Sequence, residues 1–129
     1  MLSYLYVSLG GALGSAVRFW ISGLVAERYG ETFPLGTLLV NVSGSFVIGI
    51  FAALGRPEGR LFFSPTARIF FMLGVCGGYT TFSSFSLQTF ALAADGEWFR
   101  AAANAVLSVL LCLVAVWLGQ FAVSFLNKL

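Results

Sequence analysis

Four apolar runs long enough to cross a bilayer decide what this chain can become. They cover residues 1–26, 33–55, 69–94 and 101–127, and only Arg18 interrupts the first. A span needs about 20 mostly apolar residues for a hydrocarbon core about 30 Å thick. Inside that core the backbone must satisfy its own hydrogen bonds, so each run reads as a helix. The composition agrees. Of 129 residues, 59% are hydrophobic and 9% charged, where a soluble domain carries about a quarter charged residues. The chain therefore reads as one all-α membrane domain, residues 1–129. Its four helices are expected near residues 3–27, 34–55, 66–94 and 98–127. A cleavable leader is not expected, because the first run lacks a basic start, carries Arg18 and continues past leader length.

The connections are short and hold most of the charges. Glu27-Arg28-Tyr29-Gly30-Glu31 closes the first helix, with Gly30 as its C-cap. Pro34 suits the first turn of the second helix. Ser64 and Pro65 read as the N-cap and first residue of the third. Before them, Arg56-Pro57-Glu58-Gly59-Arg60 forms a loop, and Leu61-Phe62-Phe63 is expected at the membrane interface. Trp98, Trp20 and Tyr4 suit aromatic-belt positions. Four helices put both ends of the chain on one side. That side carries Arg56, Arg60, Arg68 and Lys128; the other carries Arg28 and Arg100. So small a bias orients the chain weakly. It permits insertion in both orientations, and hence an antiparallel pair, as well as a single orientation.

The third run is longer than one straight span needs, and it is polar in the middle. Gly77-Gly78-Tyr79-Thr80-Thr81-Phe82-Ser83-Ser84-Phe85-Ser86 begins with two glycines, each weakening a helix by roughly 1 kcal/mol relative to alanine. The hydroxyls that follow offer the backbone other partners. A break is expected near residues 76–81, and a broken span is tolerated only where it lines a cavity or meets protein. Carbonyls freed near Gly77 to Thr80 suit a small hard cation.

Polar stripes on the neighbouring helices point to a path. Thr37, Asn41 and Ser45 share one face of the second helix, and Asn104, Ser108 and Cys112 share one face of the fourth. Asn41 is either interhelical glue or a donor to a ligand. Phe82 and Phe85 are either a packing pair or two electropositive ring edges for an anion. Arg18 either snorkels to the headgroups or faces a water-filled vestibule. The Gly10/Gly14 pair reads as a helix-packing face.

Several classes are excluded. The chain has no histidine, and Cys76 and Cys112 sit inside apolar runs, so neither zinc nor a disulfide framework is expected. A net charge of +2 implies no nucleic-acid partner. No nucleophile–base pair appears, so an enzyme is not expected. No carboxylate lies within the spans, which argues for passive conduction over proton-coupled exchange.

With these motifs in view, the sequence resembles the bacterial fluoride channels of the Fluc (CrcB) family. The resemblance covers nearly the whole chain: Arg18, the Gly36-Thr37-Leu38-Leu39-Val40-Asn41 stretch, and the ten-residue stretch from Gly77 to Ser86. It implies an antiparallel, dual-topology homodimer with two pores in the cell (inner) membrane. Phe82 and Phe85 match the paired pore phenylalanines whose ring edges contact fluoride. Asn41 matches the pore asparagine. Gly77 and Thr80 match positions whose carbonyls, from both subunits, hold a structural Na⁺. Thr37, Ser84, Ser108 and Asn104 fall along the polar track, and Arg18 falls at the vestibule. Some relatives carry tyrosine where Asn104 stands and glutamate where Gln88 stands. Two rivals remain. A small dual-topology multidrug exporter is disfavoured because the first helix has no embedded glutamate. A non-transporting membrane subunit leaves the coincidence of Asn41, the break and the phenylalanine pair without a reason.

Overall fold

The computed structural model describes residues 1–56 and 63–128 and contains four helices long and apolar enough to cross a membrane. They are α1 (Leu2–Tyr29), α2 (Leu35–Leu54), a composite third span (Pro65–Ala94) and α6 (Trp98–Leu126). The third span begins with α3 (Pro65–Arg68) and continues as a π-helix (Ile69–Cys76). It ends with α4 (Gly77–Tyr79) and α5 (Phe82–Ala94). No strand occurs among the described residues. Arg60, Leu61 and Phe62, expected in a loop and at the interface, lie outside the described residues.

Local chemistry sets the ends of these elements. Gly30 closes α1 with φ 77°, a conformation glycine adopts without strain, and its N–H returns to the Ala26 carbonyl at 2.8 Å. Pro34 is the N-cap of α2, one position earlier than the sequence suggested, and α2 starts at Leu35. The Ser64 hydroxyl caps α3 by accepting from the Ala67 N–H at 3.1 Å, with Pro65 in the first turn.

Packing runs through small residues. The buried apolar side chains include Ala53, Ala101 and Ala115, whereas Leu113, Trp117, Phe90 and Phe99 are exposed. That pattern suits helices whose outer faces meet lipid and whose contacts depend on close approach. α2 packs along α6, and α1 packs along the π-helix and α4. A Cβ added at Gly10 would stand 2.6 Å from the Phe70 carbonyl oxygen and 2.9 Å from the Gly74 Cα. Gly10 and Gly14 are both buried. The two backbones therefore touch, and the π-helix lies along this contact.

Candidate functional site

The site forms where the third span changes direction. The sequence expects a break near residues 76–81, and the extended residues are the last two of that stretch and not the double glycine. Gly77 keeps helical angles (φ −64°, ψ −38°). Thr80 (φ −81°, ψ 158°) and Thr81 (φ −153°, ψ 113°) are the extended residues. Gly78 serves another purpose: a Cβ there would stand 2.9 Å from the Gly11 Cα. Gly78 brings α4 against α1, and the threonines, which tolerate extended backbone, make the turn.

Side chains from α1 and α2 hold this opening. The Ser15 hydroxyl donates to the Gly78 carbonyl at 3.3 Å. Ser43 donates to the Val40 carbonyl at 3.2 Å, so the Tyr79 hydroxyl is the donor in its 2.8 Å contact with Ser43. Asn41 clamps one residue twice. Its Oδ1 accepts from the Thr81 N–H at 2.7 Å, and its Nδ2 donates to the Thr81 carbonyl at 3.0 Å. The Thr81 hydroxyl then caps α5 by accepting from the Ser84 N–H at 3.2 Å.

These bonds free two carbonyls. In an unbroken helix the Thr81 N–H would donate to the Gly77 carbonyl and the Ser84 N–H to the Thr80 carbonyl. Here the first goes to Asn41 and the second to the Thr81 hydroxyl. Gly77 and Thr80 thus both lose their helical donors.

Beside the opening lies a crevice of about 370 Å³. Asn41 and Ser45 line it from α2, and Ser108 and Cys112 from α6. The third span contributes Gly77, Thr80, Phe82 and Phe85. The Phe82 and Phe85 rings stand 5.2 Å apart at an interplanar angle of 50°. Phe82 is 76% exposed.

Other singled-out residues sit elsewhere. Thr37 is buried and lines a separate cavity of about 590 Å³, with Gln88, Glu31, Asp95 and Arg100. In that region the Gln88 Oε1 is buried without a hydrogen-bond partner. Ser84 lines neither cavity and serves in the α5 cap. Asn104 lines neither, is 2% exposed, and donates from Nδ2 to the Thr89 hydroxyl at 2.8 Å. Arg18 is half-buried on α1, away from both cavities. Sequence reasoning missed Thr81 as cap and clamp partner, although a threonine three residues before Ser84 at a helix restart is a usable signal. It also missed Thr89, for which no local pattern exists. Among the described residues no group of three or more His, Cys, Asp or Glu side chains is placed to hold a metal.

Four apolar helices, three of which wall a crevice with amide, hydroxyl and aromatic groups, define a multi-pass membrane protein. The chain belongs to the CrcB family, whose family model, described as "CrcB-like protein, Camphor Resistance (CrcB)", matches residues 5–120. A protein of Opitutus terrae named "Fluoride-specific ion channel FluC" is 64% identical over 129 residues, covering 100% of this chain and 98% of the relative. One of Rhodospirillum rubrum with the same name is 58% identical over 127 residues, covering 98% of each chain. A third, from Paramagnetospirillum magneticum and also so named, is 54% identical over 128 residues, covering 99% of this chain and 100% of the relative.

Proposed function

We propose that this protein is a fluoride-selective ion channel through which fluoride leaves the cytoplasm passively, across the inner membrane, lowering its internal concentration. The observation that carries the reading is the crevice, which gathers Asn41, Phe82, Phe85 and Ser108 in a chain 64% identical to a relative named for fluoride conduction. It is a conduit, not an enzyme.

The roles follow from donor chemistry. Asn41 spends one amide hydrogen on Thr81 and keeps a second for an anion. Ser108 adds a hydroxyl, and the rings of Phe82 and Phe85 offer positive edges. Thr37 continues the path at the larger cavity, Ser84 and Asn104 support the polar track from behind its walls, and Arg18 on α1 adds positive charge from outside both cavities. No cationic side chain enters the crevice lining, so the ion is held weakly enough to leave.

Two features support an antiparallel homodimer. The crevice is partly open and carries the polar groups of Asn41, Ser45 and Ser108, which cannot be left facing lipid and need a protein cover. The carbonyls of Gly77 and Thr80 also suit a hard cation such as Na⁺, because their helical donors are engaged elsewhere. Two carbonyls are fewer ligands than such an ion takes, and a second copy supplies the rest. The weak charge bias leaves both orientations open.

Fluoride efflux from liposomes holding only this protein tests the reading. Fluoride leaves and chloride stays if it is right; fluoride retained by correctly folded protein contradicts it.

A further inference from the structure

We propose that Asn104 and Thr89 are positioning residues, forming one part-buried strut that sets the Phe85 ring in the crevice without touching the ion. The inference rests on reading the crevice as the fluoride path. α5 has 13 residues and none of them is buried, so its rotation about its own axis is not fixed by a core of its own. Asn41 holds the turn just before it. Further along, the bond from Asn104 to Thr89 is the one side-chain hydrogen bond between α5 and α6 among the described residues.

That bond has a direction. The Thr89 hydroxyl accepts from Asn104 at 2.8 Å and donates its only hydrogen to the Phe85 carbonyl at 2.7 Å. On the other side, Ser108 makes a longer contact of 3.5 Å to the Asn104 Oδ1. The strut thus starts and ends on two residues that line the crevice, Ser108 and Phe85, while Asn104 and Thr89 line neither cavity. Asn104 is sealed from any ion at 2% exposure, and one of its amide hydrogens is committed. Its effect on conduction passes through α5. Because Phe85 and Phe82 are in contact at 5.2 Å, a rotation of α5 disturbs both ring edges together.

The test compares Thr89→Val, Thr89→Ser, Asn104→Leu and the double variant Thr89→Val/Asn104→Leu in full-length protein. Fluoride efflux is read from liposomes, and ¹⁹F NMR is read from 4-fluorophenylalanine placed at position 85. The strut predicts that Thr89→Val and Asn104→Leu each slow efflux roughly tenfold, the worth of about one net hydrogen bond. The double variant is no slower than the worse single one, and Thr89→Ser restores most of the rate. Both single variants shift the position-85 resonance. Efflux and resonance unchanged in Thr89→Val, with Asn104→Leu inactive, overturn the strut and make Asn104 a direct contact. Thr89→Val is isosteric and decides the matter alone if Asn104→Leu does not fold. Wild-type liposomes that release no fluoride count against the channel reading, and the resonance shift then judges the strut independently.

Discussion

At the scale of the residue, Asn41 does more than an isolated pore donor would. It satisfies both backbone groups of Thr81 and thereby deprives Gly77 of its helical donor. Asn41→Ala leaves the part-buried Thr81 N–H and carbonyl without their side-chain partner, at about 1 kcal/mol for each lost bond. Thermal unfolding in detergent should show a lower midpoint, and fluoride efflux should fall at least tenfold. An unchanged midpoint would mean that the clamp contributes nothing. The phenylalanines behave differently. Phe82→Ile and Phe85→Ile retain apolar bulk and remove the ring edge, so efflux drops while the elution volume on size exclusion stays fixed. Normal efflux in both variants would remove the ring-edge role. The candidate Asn41 was legible because an amide in an uncharged span is rarely idle. Its partner was not, because Thr81 lies 40 positions away and meets it only in the folded chain.

At the scale of the element, the third span shows what sequence can and cannot carry. Length and hydropathy expose four helices, since the bilayer imposes both. The hydrogen-bond register is invisible to hydropathy, and the π-helix over Ile69–Cys76 has no sequence mark. It accompanies the backbone contact between Gly10 and Gly74, a tertiary feature. The double glycine drew attention for its low helix propensity, yet both glycines are helical and Gly78 serves close approach. Gly78→Ala therefore forces α4 off the Gly11 backbone and destabilises by about 1–3 kcal/mol, as overpacking does. Gly23→Ala is the control: nothing lies within 4 Å of its Cβ, and helix propensity alone gains up to about 1 kcal/mol. Equal unfolding midpoints for the two variants would refute the close-approach account.

At the scale of the whole molecule, the proposed function pairs one chain with a second copy. On that reading the crevice and the two freed carbonyls are completed across the pair. If Na⁺ joins the two, replacing it with a bulky organic cation lowers the unfolding midpoint of the assembly, since a ligand bound only to the folded state stabilises it by mass action. Asn41→Ala, which removes the clamp that fixes the turn beside the Gly77 and Thr80 carbonyls, should raise the Na⁺ concentration needed for half of that stabilisation. A midpoint indifferent to Na⁺ in the wild-type protein would dismiss the cation. The weak charge bias and the broken span already suggested a pair and a cation in the sequence, but a sequence does not say which exposed face is covered by protein and which by lipid.

The central claim is passive, fluoride-selective conduction, and the reversal potential in a planar bilayer tests it most directly. With a tenfold fluoride gradient and symmetrical chloride and pH, a fluoride-selective conduit reverses near the fluoride equilibrium potential, about 59 mV in magnitude. It stays there when a proton gradient is added. Reversal near zero, or a reversal that follows the proton gradient, would contradict the account.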